Sequence, residues 1–371
     1  MKKLKILHSA DFHMDSPISA LPDGKAALRR AELRQIPAKL ADLAIREKAD
    51  AILLSGDLFD SNSIYSETWE ELFENLSRIP APVVISPGNH DYYCSASPYA
   101  KRGLPSNVYV FTGNEISFFD FPDLGLRVYG AAFTSSSCRP MLENFHAERE
   151  NSRISILCIH GESGSSGARY NPVSEKEIAA SGLNYIAFGH VHNASGLLRA
   201  GNTFYSQPGC PEGRGFDETG HKTVNILELD GESCTLREEC IAAREYSCLR
   251  ADLTDQDPAA VLESLIPAGS ERMICRMILT GDVEKSPDLP ALAARFAGCF
   301  FHLEIFDETH LKTDIWEKAG ENSLRGVFLL KMKQKYDLAL TETEKNQTEL
   351  AARWGLAALD RREEITIHEY L

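Results

Sequence analysis

The chain has 371 residues, 43% hydrophobic and 25% charged, which is ordinary for a globular protein and long enough for two domains. A formal net charge of −15 counts against a nucleic-acid partner, but it is uneven: residues 1–220 hold 21 Lys+Arg and 26 Asp+Glu, net −5, and residues 221–371 hold 18 and 28, net −10. No apolar run approaches the ~20 residues of a bilayer span and the one after Lys5 is too short for a signal peptide; nine cysteines without C-x-x-C spacing read as reduced thiols of a cytoplasmic protein.

Leu4 to Ser9 reads as a first strand, ending at Asp11-Phe12-His13. A helical pattern covers residues 26–48, with Pro37 as a kink or break. The second strand, Ala51–Leu54, runs into Gly56-Asp57-Leu58-Phe59-Asp60. A helix over 67–78 leads to the strand Val83-Val84-Ile85, followed by Pro87-Gly88-Asn89-His90-Asp91. Short runs at 108–111, 116–119 and 126–129 suit an antiparallel part of a sheet. The strong strand 154–159 ends at His160-Gly161 and opens a Gly/Ser-rich loop over 161–167; the strand 185–188 ends at Gly189-His190-Val191-His192. Alternating strands and helices argue for an α/β sandwich.

Past Gly220, runs at 223–229 and 234–242 form a hairpin about Asp230-Gly231. A β-α-β-α-β pattern follows to residue 306, and the tail is helical, with Thr341-x-x-Glu344 as a capping box and Leu350, Trp354 and Ala358 as its apolar stripe. The division expected is 1–240, a smaller α/β domain 241–315, and a helical tail 316–371.

Each of five apolar runs ends in metal-ligating chemistry: Asp11/His13, Asp57/Asp60, Asn89/His90/Asp91, His160 and His190/His192. Ligands gather beyond the carboxyl ends of strands in open α/β sheets. D-x-H and H-x-H spacing puts both side chains on one side of an extended segment. Carboxylate, amide and imidazole together suit Mn²⁺, Fe²⁺ or Zn²⁺ better than Ca²⁺. With Asp11 and Asp57 as the anionic ligands, two divalent ions keep a residual positive charge, which favours phosphate and acidifies a water to serve as nucleophile.

D-x-H, G-D-x-x-D, G-N-H-D, H-G and G-H-x-H, in this order, resemble the motifs of the calcineurin-like metallophosphoesterase superfamily. Leu7-His8-Ser9-Ala10-Asp11-Phe12-His13 together with Gly56-Asp57-Leu58-Phe59-Asp60 looks most like the SbcD-type DNA repair exonucleases, especially a divergent bacterial YhaO-like branch. The resemblance implies a metallophosphoesterase β-sandwich flanked by helices, with the smaller α/β domain as a cap. It implies one ion held by Asp11, His13, Asp57 and His192 and another by Asp57, Asn89, His160 and His190, with Mn²⁺ foremost and Fe²⁺, Zn²⁺ or Mg²⁺ as alternatives. His90 matches the histidine that touches the scissile phosphate and protonates the leaving oxygen. Asp60 is expected to hydrogen-bond His90 and raise its pKa. DNA as substrate, an SbcC-type coiled-coil ATPase partner and a homodimer are implied as well.

Two rivals stand beside this reading. One is a phosphoesterase acting on small phosphodiesters, cyclic nucleotides or phosphoproteins; Ser61-Asn62 after Asp60, in place of Arg-Gly, lowers the phosphoprotein case. The other is a non-catalytic scaffold for an ATPase, which need not keep every ligand. Asp15 and Asp91 read as structural, Gly213-Arg214-Gly215 as a loop at the metal lip, and Arg29, Arg30 and Arg34 as a solvated helix face. His8, His146, His221, His302, His310 and His368 lie off the pattern.

Overall fold

The computed structural model describes residues 2–148, 153–164, 170–312 and 315–359. Its first compact unit comprises Met1–Arg250, Leu265–Ile278 and Pro290–Phe306. Two six-stranded sheets form its centre. The first is ordered Cys234–Glu239, Val224–Leu229, Leu4–Ser9, Ala51–Leu54, Val83–Ile85, Val108–Val110; the second Leu198–Ala200, Thr203–Ser206, Tyr185–Gly189, Ile154–His160, Leu126–Gly130, Ser117–Phe121.

Period-two alternation builds the layers. Leu4, Ile6, Leu53 and Val84 of the first sheet share one core with Val128, Ile156, Cys158, Tyr185 and Ala187 of the second. Leu7, Ile52, Leu54, Val83 and Ile85 point the other way, onto Leu33, Leu40, Leu43, Leu72 and Leu76 of three helices. On the far face of the second sheet, Leu157, Ile159, Ile186 and Phe188 meet Ile178 and Leu183. The pattern expected over 26–48 is two helices, Asp23–Arg34 and Ile36–Glu47, broken at Gln35. Pro37 stands in the first turn of the second helix, where its missing N–H costs nothing.

The run at 108–111 is not antiparallel: Val108–Val110 adds in parallel to Val83–Ile85, because its connection crosses over past a helix at Pro98–Lys101. Only Ser117–Phe121 and Leu126–Gly130 pair antiparallel there. The three strands of the β-α-β-α-β pattern form a separate sheet, ordered Glu245–Asp252, Met273–Thr280, His302–Asp307.

The second unit gathers Ala251–Ser264, Leu279–Leu289 and the described part of 307–371. Its helices Leu324–Asp337 and Glu342–Leu359 close on Ile315, Leu329, Ala352 and Leu356. Thr341 and Glu344 form the reciprocal bonds of a capping box. The inward stripe is Thr348, Ala352 and Leu356, while Trp354 is 43% exposed. At Gly355 a Cβ would strike the ring of Phe328. His368 and residues 165–169 of the Gly/Ser loop lie outside the described residues.

Candidate dinuclear metal centre

Leu4–Ser9, Ala51–Leu54 and Val83–Ile85 run parallel in one sheet, and Ile154–His160 and Tyr185–Gly189 run parallel in the other. Their carboxyl ends therefore open at one edge, and the loops beyond them meet. The approach is close. A Cβ on Gly189 would run into the Ser55 carbonyl, and one on Gly88 into the Asp57 carboxylate. Asp11, His13, Asp57 and His190 all take positive φ, at 57°, 44°, 51° and 88°. Such strain in non-glycine residues concentrates at functional sites.

Three groups of possible ligands have their donor atoms within 4.8 Å of one another: Asp11, His13 and His192; His13, Asp57 and His90; Asp57, His160 and His190. Asp57 stands between them, its Oδ2 3.3 Å from His160 Nε2 and 3.7 Å from His13 Nε2. Asn89 Oδ1 lies 3.0 Å from His160 Nε2. The structure thus brings together all seven residues the sequence singled out as ligands. Asp11, His13, Asp57 and His160 are buried.

Charge in this cluster is unbalanced. Burial, reinforced by the charge of Asp57, pushes the Asp11 carboxyl up to about 7. Burial also opposes the charged form of His160, but Asp57 beside it prevails and raises the imidazole to about 9. His190 is lowered to about 4 by burial and by the charge of His160. His13 Nε2 is buried with no hydrogen-bond partner among the described residues. An orphaned imidazole nitrogen facing a carboxylate, in a pocket of mixed O and N donors, fits a divalent cation.

His90 stands exposed at the lip. Its main-chain N–H donates to Asp57 Oδ1 at 2.9 Å, and its Nδ1 meets the Asp60 carbonyl oxygen at 3.0 Å. The Asp60 carboxylate does not take the place expected for it. It faces His13 Nδ1 at 3.1 Å instead. A short parallel bridge between Met14 and Phe59, with the Asp60 N–H donating to the Met14 carbonyl, turns its side chain toward the 11–13 loop.

Asp91 is a tie between loops: its carboxylate accepts from the N–H groups of Gly88, Asp57 and Leu58 and from the Tyr99 hydroxyl. Asp15 accepts from Thr68, Tyr65 and Arg34. Arg29 is not solvated; it is wholly buried, bonded to Glu212 at 2.7 Å and to Glu32. Glu218, which no sequence motif singles out, is buried and lies 2.7 Å from His192 Nδ1. Its only sequence signal is a carboxylate four residues after Arg214.

The layered α/β/β/α fold with clustered Asp and His at one sheet edge defines a metallophosphoesterase, and the chain belongs to the calcineurin-like phosphoesterase family, whose match covers residues 4–194. Among curated proteins it is similar to the uncharacterized metallophosphoesterase YhaO of Bacillus subtilis, 32% identical over 61% of this chain and 57% of that one. It is also similar to the DNA double-strand break repair protein Mre11 of Saccharolobus solfataricus, 26% identical over 56% of this chain and 55% of that one. The SbcD component of the nuclease SbcCD of B. subtilis is 24% identical over 65% of this chain and 70% of that one. The chain thus spans less than two thirds of the length of the first two relatives. No described helix is long and apolar enough to cross a membrane.

Proposed function

We propose that this chain is a two-metal phosphodiesterase that hydrolyses DNA. The observation that carries the reading is the convergence of seven candidate ligand side chains, four of them buried, beside an exposed histidine. Asp11, His13, Asp57 and His192 would hold one ion; Asp57, Asn89, His160 and His190 would hold the other. Bound there, divalent ions supply Lewis acidity toward phosphoryl oxygens and lower the pKa of water, with Mn²⁺ the ion we expect.

The chain's own residues do the rest. Asp11 and Asp57 are the only carboxylates among these ligands, so the loaded centre stays cationic and attracts a phosphodiester. The backbone N–H of His190 anchors Asp11 at 3.0 Å, and that of His90 anchors Asp57, fixing both carboxylates before any ligand arrives. The Asp60 carbonyl holds the Nδ1 edge of His90, which leaves Nε2 for the substrate. When protonated, that Nε2–H contacts the scissile phosphate and passes its proton to the leaving oxygen.

DNA as substrate is supported by the relatives named as the repair protein Mre11 and the nuclease SbcCD. The same likeness supports an SbcC-type ATPase partner and a homodimer. The charge of −15 favours a second reading, a small phosphodiester. The deciding experiment is Mn²⁺-dependent cleavage of end-labelled duplex and single-stranded DNA, with bis(4-nitrophenyl) phosphate alongside. DNA cleavage that disappears in His90→Ala supports the proposal. Turnover of the small diester with DNA left intact would move the substrate to the second reading.

A further inference from the structure

Among the described residues, His13 and His192 have a carboxylate within hydrogen-bond distance of Nδ1, which His160 and His190 lack, Asp11 Oδ1 being 4.0 Å from His160 Nδ1. Behind each stands a carboxylate: Asp60 at 3.1 Å from His13 Nδ1, and Glu218 at 2.7 Å from His192 Nδ1. Arg214 joins the two carboxylates. Its Nε and Nη2 bond Glu218, its main-chain N–H donates to Glu218 Oε2 at 2.8 Å, and its Nη1 lies 3.5 Å from Asp60 Oδ1. The Arg214 loop is itself anchored from below. Glu212 is buried, pairs with the wholly buried Arg29, and accepts from the N–H groups of Ala243 and Arg244.

The other pair is backed differently. His160 Nδ1 donates to the Ser55 carbonyl at 2.8 Å. His190 packs on the Tyr170 ring at 4.9 Å between centroids, with no hydrogen-bonded carboxylate among the described residues.

A carboxylate behind a ligating imidazole fixes the proton on Nδ1, keeps the Nε2 lone pair for the metal and raises its basicity; a carbonyl does so more weakly. The orphaned His13 Nε2 is the nitrogen such a device would present. Arg214 bonds Glu218 and faces Asp60, which holds the two carboxylates in place behind the imidazoles.

We infer that Asp60, Arg214 and Glu218 form a clamp that makes the two metal positions unequal. The position at Asp11, His13 and His192 fills first and binds more tightly; the position at Asp57, His160 and His190 fills second. Arg214 and Glu218 are positioning residues for the first. This inference rests on the two-metal reading above.

The test is a Mn²⁺ titration of the chelator-stripped chain, with free Mn²⁺ followed by electron paramagnetic resonance. The wild type should bind in two resolved steps. Glu218→Gln and Arg214→Gln should weaken the tighter step by roughly 10–100-fold and the looser step by no more than about threefold. Asp60→Asn, at a half-buried position, gives the same readout should the Glu218 variant fail to fold by circular dichroism. Equal weakening of both steps, weakening of the looser step alone, or variants that titrate like wild type would overturn the clamp. A wild type that binds no Mn²⁺ would overturn the two-metal reading itself. Two-step binding without DNA cleavage would refute the DNA substrate and leave the clamp supported.

Discussion

At the scale of single residues, position relative to the buried cluster decides what a histidine does. His90 is exposed, and in the proposed role it would supply a proton and a phosphate contact, so His90→Ala should lower kcat by roughly 10²–10⁴-fold. Its Mn²⁺ stoichiometry should not change; a loss of bound metal would make it a ligand and contradict the assignment. His8, three residues from Asp11, is the opposite case. It is wholly buried between the sheets, with Nδ1 2.9 Å from the Tyr185 hydroxyl and Nε2 2.9 Å from the Phe188 carbonyl. Ser55 and Ser206 complete its surroundings, and Tyr185 is the one titratable side chain bonded to it. Burial lowers its pKa from 6.5 to about 3, so the unfolded chain takes up a proton below pH 6.5 that the folded chain refuses. Its contribution to stability is present above pH 6.5 and is lost as pH falls from 6.5 toward 3. The loss should approach ~1.4 kcal/mol per pH unit across that window. Urea unfolding of wild type and His8→Gln between pH 5 and 7 checks this, the variant showing the shallower pH slope; parallel slopes would contradict it.

At the scale of elements, the loops carry the chemistry and a few buried polar groups hold the loops. Asp91 gathers three backbone N–H groups and the Tyr99 hydroxyl, tying the loop after Ala51–Leu54 to the loop after Val83–Ile85. Asp91→Ala should orphan those donors and cost about 3–5 kcal/mol, whereas Tyr99→Phe should cost about 1 kcal/mol. The midpoints of urea denaturation separate the two; similar losses would mean that the backbone donors find other partners. The strands themselves were legible because apolar runs such as Ala51–Leu54 and Val83–Ile85 carry a fixed period and end in recognisable turn chemistry. The candidate ligands were legible because each stands one to four residues past such a run. What stayed hidden depends on contacts that no local pattern encodes. The Asp60 side chain goes to His13 because a bridge between Met14 and Phe59 turns it there. Arg29 sits on a polar-looking helix and is buried only because Glu212, 183 residues away, meets it. Glu218 meets His192 across 26 residues of chain, with only its spacing from Arg214 to announce it.

At the scale of the whole molecule, two sheets bring strand ends from distant parts of the sequence to one edge, and positive-φ residues and uneven charge gather there. Asp57 is the residue on which both halves of the centre depend, since its carboxylate lies against His13 on one side and His160 on the other. The overall acidity is compatible with the proposed phosphodiester substrate, because two divalent ions at this cluster would reverse the local sign of charge. The most direct measurement is turnover of bis(4-nitrophenyl) phosphate by the wild type and by Asp57→Asn, each stripped with chelator and then reloaded with Mn²⁺. The stripped wild type should be inactive and the reloaded wild type active, with Asp57→Asn lower by a factor on the order of 10³ while still folded. Turnover that survives in the stripped protein, or a folded Asp57→Asn that matches the reloaded wild type, would contradict a metal-dependent phosphodiesterase built on this cluster.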